Sequence, residues 1–371
     1  MRSVARAAAA LALVALTGEA AERPINPKLL DLPAERWIEI HRQRPGDPVV
    51  FRRQAHGGSA FDSKRGRLVL FGSDTHGVDW TNSPLYFDLA SLAWTRAYPD
   101  DDPSTYRVSN DGIPIAGTGA PHPWAMHTFA AVSYDALNDR LVVASYPQHL
   151  EPGRFTDALA HVWPEIRRHP TWLFDLESQR WRALDSPAEH FFPYATAYDS
   201  HRAAVVGYRS DGIYELDMDR AEPRWRYRGL ASHGGYHINA VYDSKRRHVI
   251  VAGSHRWSND IVIYNPGTRR DRIMPTRGQR PPKFQHAPMA FHERKAVAVV
   301  LVDRLDESGP RQAETWVYDP GADAWSRVER ASLPFNCGMN YNMHYDPLHD
   351  ALLLVADAQN GLASVWALKL R

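Results

Sequence analysis

Short apolar runs alternate with polar turns along most of the chain, and the same order of runs recurs. In each unit an apolar run ends in an aromatic residue followed by a polar one, as in Phe61-Asp62 and Tyr198-Asp199. A turn and a second apolar run follow, then a run ending near Tyr-Asp and a run that contains Trp. Self-similarity of this length is typical of repeat architectures, and two apolar runs around a polar turn predict a β-hairpin. The pattern therefore predicts four-stranded antiparallel units.

Six such units are visible. Their first strands are predicted over 56–62, 127–135, 194–199, 237–243, 286–292 and 340–346, their second strands over 67–72, 141–144, 203–207, 248–253, 296–302 and 351–356, and fourth strands around Trp94, Trp181, Trp225 and Trp325. The last unit ends with a third strand over 364–370 and has no fourth strand. Residues 35–40, near the start of the chain, have the pattern of a fourth strand that belongs to no other unit. Closing a ring with that strand would remove exposed edges. We therefore predict an all-β, kelch-like β-propeller with six blades counted, seven possible, and a ring closed by an N-terminal strand.

The segments outside the repeats have the patterns of a signal peptide and of two long loops. Arg2 and Arg6 precede an apolar run over 7–16 and then small residues, which is the order of a secretory signal. The run is too short to span a bilayer. We expect 1–21 to be a signal peptide and 22–371 to be a single catalytic domain, secreted or periplasmic. Segments 99–126 and 150–170 are predicted as long loops on the faces of the ring.

The composition of the chain narrows the range of its possible binding partners. The 371 residues include 44 Lys and Arg against 43 Asp and Glu, so no net field favours nucleic acid or an anionic membrane. One cysteine, Cys337, excludes an internal disulfide. A Gly-x-Ser-x-Gly elbow and phosphate-binding glycine loops are absent from the sequence, which disfavours α/β-hydrolase and nucleotide chemistry. We expect a monomer that binds neither nucleic acid nor membrane.

The candidate functional residues lie at the open ends of the predicted hairpins. The start of a first strand and the end of a second strand lie at the same face of an antiparallel unit, so residues there gather at one rim of the ring. The residues at these positions are His56, His76, His127, His149, Tyr194, Arg209, His237, His255, His286 and Arg304. Any one of them is more simply a solvated residue at a channel mouth. Their joint occurrence predicts a site that binds an anion and moves a proton.

That combination suits elimination from a uronic acid. Cationic neighbours stabilise a phenolate, so Arg209 and the histidines are expected to lower the pKa of Tyr194 from its reference value near 10. The same cations would neutralise a carboxylate and make the proton beside it more acidic. Abstraction of the C5 proton and expulsion of the 4-O-linked sugar would follow.

The order and spacing of His127, His149, Tyr194 and Arg209 on consecutive units resemble the β-propeller ulvan lyases, which act on sulfated algal uronans. The resemblance implies that Tyr194 is the base and the acid and that His127 is its catalytic partner. It implies that His149 and Arg209 hold the carboxylate of an acidic polysaccharide. We further expect the substrate to contact Arg304, Tyr208, His76 and Trp124.

The same resemblance implies a structural zinc near the channel. The candidate ligands are His237, His255, His286 and Cys337, a set suited to tetrahedral zinc. His233 and His344 are alternates, and a buried, metal-free Cys337 is an equally good interpretation.

Two other functions use this fold. A non-catalytic kelch propeller would bind a glycan or protein through the same rim. A copper radical carbohydrate oxidase needs a cysteine beside a ligand tyrosine, for which Cys337 and Tyr341 are the only candidates. A sialidase is disfavoured because its Ser-x-Asp-x-Gly-x-Thr-Trp boxes are missing.

Overall fold

The computed structural model describes residues 23–48, 53–76, 79–233, 235–304, 312–357 and 362–371. The predicted signal peptide lies outside these residues. Within the described part of the chain, helices are too short and too polar to cross a membrane. Helical structure there is confined to α1 (Pro27–Leu30), α2 (Arg53–His56) and single 3-10 turns at Pro103–Thr105, Gln148–Leu150 and Trp163–Glu165.

The strands form six larger antiparallel sheets and one small sheet. Sheet 1 contains β2 (Gly58–Asp62), β3 (Arg67–Phe71), β4 (Leu85–Asp88) and β5 (Ala93–Arg96), and the small sheet contains β6 (Arg107–Val108), β7 (Pro114–Ala116) and β8 (His122–Pro123). Sheet 2 contains β9 (Val132–Asp135), β10 (Arg140–Val143), β11 (Thr171–Asp175) and β12 (Arg180–Leu184), and sheet 3 contains β13 (Ala195–Asp199), β14 (Ala204–Tyr208), β15 (Ile213–Asp217) and β16 (Trp225–Gly229).

The remaining sheets complete the set. Sheet 4 contains β17 (Asn239–Asp243), β18 (His248–Ala252), β19 (Ile261–Asn265) and β20 (Arg270–Ile273). Sheet 5 contains β22 (Met289–His292), β23 (Val297–Asp303), β24 (Ala313–Asp319) and β25 (Ala324–Leu333), with the short β21 (Arg277–Gly278) added in parallel to β25. Sheet 6 contains β26 (Met343–Asp346), β27 (Ala351–Asp357) and β28 (Ala363–Leu368), together with β1 (Ile38–Arg42).

The turn after five of the six first strands is held by an aspartate at the end of the strand; in sheet 5 His292 takes this position. The Asp199 carboxylate is buried and accepts hydrogen bonds from the backbone N–H groups of His201 and Arg202. Asp243 does the same for Lys245 and Arg246. A side chain that satisfies turn donors in this way favours the turn over strand continuation. The aromatic-Asp pair in the sequence is therefore the start of a tight hairpin.

The core lies between neighbouring sheets. A hydrophobic cluster is packed between each sheet and the next, from sheet 1 to sheet 6. A further cluster packs sheet 6 against sheet 1 and contains Leu353, Val365, Leu70 and Phe87. The fourth-strand tryptophans are buried in these clusters: Trp94, Trp181, Trp225 and Trp325. Burial on both faces explains why the strands have continuous apolar runs.

The N-terminal strand pairs with the C-terminal strand. β1 lies antiparallel to β28, with Ile38 opposite Ala367 and Arg42 opposite Ser364. First strands of successive sheets contact one another, and β2 also contacts β26. They line a cavity of about 310 Å³ that all six sheets border. An all-β chain of small four-stranded sheets in this order is consistent with a propeller.

One predicted loop contains regular structure. Segment 99–126 contains the turn at Pro103–Thr105 and all of the small sheet β6–β8. The sequence missed it because its strands are only two or three residues long, too short for a periodic pattern. The buried Trp124 anchors this unit, and its Nε1 donates to the Ile115 carbonyl at 2.9 Å.

Candidate functional site

Four histidine rings meet at one end of sheets 1 and 2. His56 ends α2, His76 follows β3, His127 precedes β9, and His149 lies in the 3-10 turn after β10. Ring centroids are 4.2 Å apart for His56 and His127, 3.7 Å for His127 and His149, and 5.1 Å for His76 and His149. The open ends of the two hairpins therefore bring these residues together, as strand geometry predicts.

The Asp74 carboxylate lies at the centre of three of these rings. Its Oδ1 is 2.9 Å from His76 Nδ1, 3.4 Å from His56 Nε2 and 3.8 Å from His127 Nε2. One ligand atom from each of the four residues lies within 4.8 Å of all the others. Imidazole nitrogens and carboxylate oxygens are ligands for divalent transition metals. This histidine–aspartate cluster (His56, Asp74, His76 and His127) could hold a metal ion.

Burial keeps two of these histidines, His127 and His149, neutral. Burial is the main cause that lowers the pKa of His127, and the neighbouring His149, His56 and His76 add to it. Burial also lowers the pKa of His149 to about 3, helped by the charges of His76, His56 and Arg154. Neutral imidazoles can accept a proton, donate a hydrogen bond or ligate a metal.

Tyr194 immediately precedes β13 and has an unusual backbone conformation. Its φ is +66°, and the residues before β17 and β22 share the feature, with φ of +61° at His237 and +35° at His286. Before β9 the corresponding residue is Phe129, with φ of +46°. Positive φ is rare for bulky residues and clusters at functional sites. The structural equivalent of Tyr194 in sheet 2 is therefore Phe129, and His127 lies two residues earlier than the predicted alignment placed it.

The Tyr194 ring is packed and its hydroxyl is in contact with polar groups. It stacks on Phe192 with centroids 4.2 Å apart. Burial raises the pKa of Tyr194, while a hydrogen bond with Gln148 and the charges of Arg209 and Arg154 act to lower it. The predicted cationic effect is present, but burial outweighs it. The phenolate is therefore less accessible at neutral pH than the sequence predicts.

A cleft opens beside this tyrosine. Its lining comprises Tyr194, Ser210, Gly235, Tyr236, His255 and Arg256. The Arg209 guanidinium pairs with Asp211 at 2.9 Å and lies 5.4 Å from the centre of the Phe191 ring. Arg154 and Arg256 are exposed. Three arginines around one phenol favour a polyanionic ligand.

Two of the residues predicted to contact substrate are in the core. Tyr208 is fully buried and its hydroxyl donates to Asp271, whereas Trp124 is fully buried behind the small sheet. Tyr208 is buried because β14 is covered on both faces, and Trp124 is buried in the hydrophobic cluster under the small sheet. His76 is half-exposed beside Asp74, and Arg304 is half-buried at the end of β23.

The predicted zinc ligands do not meet. Within the described chain, no three of His237, His255, His286 and Cys337 bring ligand atoms within 4.8 Å of one another. His237 Nδ1 is 2.7 Å from the Tyr341 hydroxyl, and His286 Nδ1 is 3.1 Å from the Gly338 carbonyl. Burial raises the pKa of the Cys337 thiol, and this residue packs in the cluster between sheets 5 and 6. These contacts suit a structural network more than a metal centre.

His233 and His344, the alternate zinc ligands, also have hydrogen-bond partners elsewhere. His233 Nε2 lies 2.7 Å from the Gly253 carbonyl, and His344 Nε2 lies 2.7 Å from the Ser59 hydroxyl. Cys337 and Tyr341, the pair required by a copper radical oxidase, pack in different hydrophobic clusters.

Sequence reasoning missed four residues of this face. They are Asp74, Gln148, Arg154 and Phe155. Phe155 is 53% exposed, and its ring centroid lies 4.3 Å from that of His76 and 5.5 Å from that of His149. An Asp-Thr-His triplet after a strand was the available signal for Asp74. The others lie in the loop predicted over 150–170 or beside it, where periodicity says nothing about position.

Comparison with known proteins adds no family. The chain matches no protein-family model, and no curated protein matches it.

Proposed function

We propose that this protein is a polysaccharide lyase that cleaves a uronic-acid-containing polysaccharide by β-elimination. The observation that carries the proposal is the environment of Tyr194. Its hydroxyl is hydrogen-bonded to Gln148 and lies in the field of Arg209 and Arg154, and its ring borders an open cleft. A phenol beside two guanidinium groups suits proton abstraction next to a carboxylate.

In the proposed reaction the Tyr194 phenolate removes the C5 proton of the uronate. Electrons from the C5–H bond delocalise into the carboxylate, then form the C4–C5 double bond as the C4–O4 bond breaks. The neutral Tyr194 hydroxyl returns its proton to the departing O4. Arg209 and His149 hold the carboxylate, where charge accumulates in the transition state. Gln148 orients the phenol hydroxyl by its hydrogen bond.

His127 has a different role in this proposal from the one that the resemblance implies. It is 1% exposed, its Nε2 accepts a hydrogen bond from the Thr75 N–H at 3.2 Å, and its ring stacks on His149. These contacts favour a positioning residue that fixes the His149 ring. Tyr194 then serves as both base and acid.

The fold we propose for this enzyme is a closed, six-bladed, kelch-like propeller. The pairing of β1 with β28 and the hydrophobic cluster between sheets 6 and 1 support closure. The aspartate-capped hairpins support kelch-like blades. A closed ring would hold the loops of sheets 1 to 4 in fixed relation around the cleft.

The proposed substrate is an acidic polysaccharide similar to ulvan. Exposed Phe155 and Tyr236 flank the site and offer flat faces to sugar rings. Arg256 offers a further positive charge for a carboxylate or sulfate. We further propose that the protein is secreted or periplasmic, acts as a monomer, and has neither nucleic acid nor membrane as a partner.

Zinc remains part of the proposal, in a structural role. The ligand set of His237, His255, His286 and Cys337 does not fit, because its ligand atoms lie apart and His237 and His286 have other partners. No step of the elimination depends on a metal.

The test is the ultraviolet absorbance of the unsaturated uronate that elimination leaves. Purified mature protein is incubated with ulvan, glucuronan, alginate, a heparinoid and pectin, with a Tyr194→Phe preparation as the matched control. A rise on one polymer with wild type and none with the control is the expected result. Binding to a polymer without any rise would instead favour a non-catalytic propeller.

A further inference from the structure

We propose that the histidine–aspartate cluster of His56, Asp74, His76 and His127 binds one divalent transition-metal ion, for which zinc has the best-matched chemistry. This inference does not depend on the proposed elimination. It places a metal between sheets 1 and 2, away from the sheet 4 to sheet 6 residues that the sequence suggested.

The geometry is close to that of a preformed site. Metal–nitrogen and metal–oxygen bonds of about 2.1 Å place tetrahedral ligand atoms about 3.4 Å apart. The Asp74 Oδ1 atom lies 2.9, 3.4 and 3.8 Å from the three imidazole nitrogens. All four ligand atoms fall within 4.8 Å of one another. Side-chain shifts below about 1 Å would equalise these spacings around one ion.

The His127 ring has the tautomer that ligation through Nε2 requires. Its Nε2 accepts a hydrogen bond from the Thr75 N–H, so the lone pair is on Nε2 and the proton is on Nδ1. Nε2 is also the nitrogen that lies 3.8 Å from Asp74 Oδ1, and an ion would replace the Thr75 N–H at this lone pair. The Nδ1 atom is buried and has no hydrogen-bond partner among the described residues. Metals bind the deprotonated nitrogen of an imidazole.

The charges also favour an ion. Asp74 is the only acidic residue of the cluster, and the three imidazole rings around it contact one another face to face or edge to face. One carboxylate can neutralise one imidazolium, and a second protonated ring 4 to 5 Å away would be repelled. A divalent cation is attracted by the carboxylate and is within reach of a nitrogen from each of the three rings at once. Three nitrogens and one oxygen are typical donors for zinc.

The placement gives the ion a structural role. The cluster joins the end of α2, the loop after β3 and the segment before β9. His149 stacks on His127, so fixing the His127 ring would also fix His149. An ion bound to the folded state alone raises the unfolding temperature by mass action.

The test is zinc binding by chelator-stripped, full-length mature protein, measured by equilibrium dialysis and elemental analysis. The variants are His76→Ala, whose side chain is one-third exposed, and Asp74→Asn, which keeps the shape of the carboxylate. The matched controls, His286→Ala and Cys337→Ala, remove two ligands of the other candidate set. Circular dichroism establishes that each variant is folded.

The expected result is one zinc per chain, with dissociation constants raised at least tenfold by His76→Ala and Asp74→Asn and unchanged in both controls. Zinc should raise the unfolding temperature of wild type but not of the folded His76→Ala variant. Absence of stoichiometric binding overturns the proposal. So does equal affinity in wild type and both cluster variants, or loss of binding only in the His286→Ala or Cys337→Ala protein. Because binding is measured directly, failure of the elimination assay leaves this result unaffected.

Discussion

The His127 and His149 rings stack with their centroids 3.7 Å apart, at the junction of sheets 1 and 2. His127 is buried beneath and His149 is half-exposed above it. The stack divides the histidines by role: the lower ring belongs to the histidine–aspartate cluster, and the upper ring faces the loop with Gln148 and Arg154. Two residues that look equivalent in the sequence therefore differ in burial, and in the proposed mechanism His127 positions the ring of His149, which holds the substrate carboxylate.

Tyr194→Phe removes only the hydroxyl that we propose as base and acid. We expect kcat to fall by about 10²–10⁴-fold, the usual contribution of general acid–base catalysis. The unfolding temperature should stay close to that of wild type, because the ring keeps its stack on Phe192. The matched control is Tyr227→Phe, an exposed tyrosine of β16, which should retain full activity. Steady-state absorbance kinetics measure both.

Gln148→Glu changes the charge beside the phenol. Because a nearby carboxylate disfavours the phenolate, the pKa of Tyr194 should rise further above 10. The rise of kcat/KM with pH above neutrality should then shift toward more alkaline pH. Gln148→Leu, which removes the hydrogen bond without adding charge, should lower kcat/KM with a smaller shift. Identical pH profiles for the three proteins would contradict the role of Gln148.

Arg209→Ala removes a charge proposed to hold the substrate carboxylate. A charged hydrogen bond contributes about 1.5–3 kcal/mol, so kcat/KM should fall by roughly 10–100-fold. Arg224→Ala, an exposed arginine immediately before β16, is the control and should behave as wild type. Equal losses in the two variants would indicate a general charge effect instead of a specific contact.

His169 makes stability depend on pH. It is 2% exposed, and both ring nitrogens lack hydrogen-bond partners among the described residues. Burial, with a smaller effect from His190, lowers the pKa of His169 from 6.5 to about 3. The unfolded chain therefore binds more protons between these pH values, and stability falls as pH drops from about 6.5 toward 3.

His169→Leu should weaken that dependence. The variant should gain unfolding temperature relative to wild type at pH 5 and gain less at pH 8, as measured by calorimetry. His201→Gln, on an exposed turn, is the control and should follow the wild-type curve. Parallel curves for wild type and His169→Leu would contradict the burial argument.

Trp37 tests whether the N-terminal segment is integral to the fold. It is 7% exposed in the cluster between sheets 5 and 6, and its Nε1 donates to the Thr315 hydroxyl at 2.9 Å. Trp37→Ala should cost about 3–5 kcal/mol of unfolding free energy, as for other buried tryptophans. Trp257→Ala, at a residue 39% exposed, should change it by less than about 0.5 kcal/mol. Denaturant titration gives both values.

The repeat pattern predicted most of the fold because it is local. Aromatic-Asp pairs mark hairpin turns, and the second strands were predicted to within about one residue, as for β14. The first strands end where predicted, but β9, β22 and β26 begin three to five residues later than predicted. The pairing of β1 with β28 also followed from one missing strand at each end. The strands β6–β8 are too short to leave such a pattern.

The site was less predictable because its contacts are distant in sequence. Strand geometry correctly grouped His56, His76, His127 and His149. It did not indicate that the Tyr208 hydroxyl has a partner on sheet 4, Asp271, which takes it out of the cleft. It did not indicate that Asp74, in a polar turn, lies among three imidazoles. Tyr208 and Asp271 lie on strands of neighbouring sheets, and their contact depends on how the sheets pack. Asp74 lies in a loop, where alternation along strands does not apply.

Elimination at Tyr194 and hydrolysis differ in whether water is added to the products. The protein digests a defined oligosaccharide of its substrate, and mass spectrometry weighs the two fragments. Elimination leaves an unsaturated uronate at the new non-reducing end, and the masses of the two fragments together equal the mass of the oligosaccharide. Fragments that together carry one additional water, with saturated uronates, would mean hydrolysis and would contradict elimination at Tyr194.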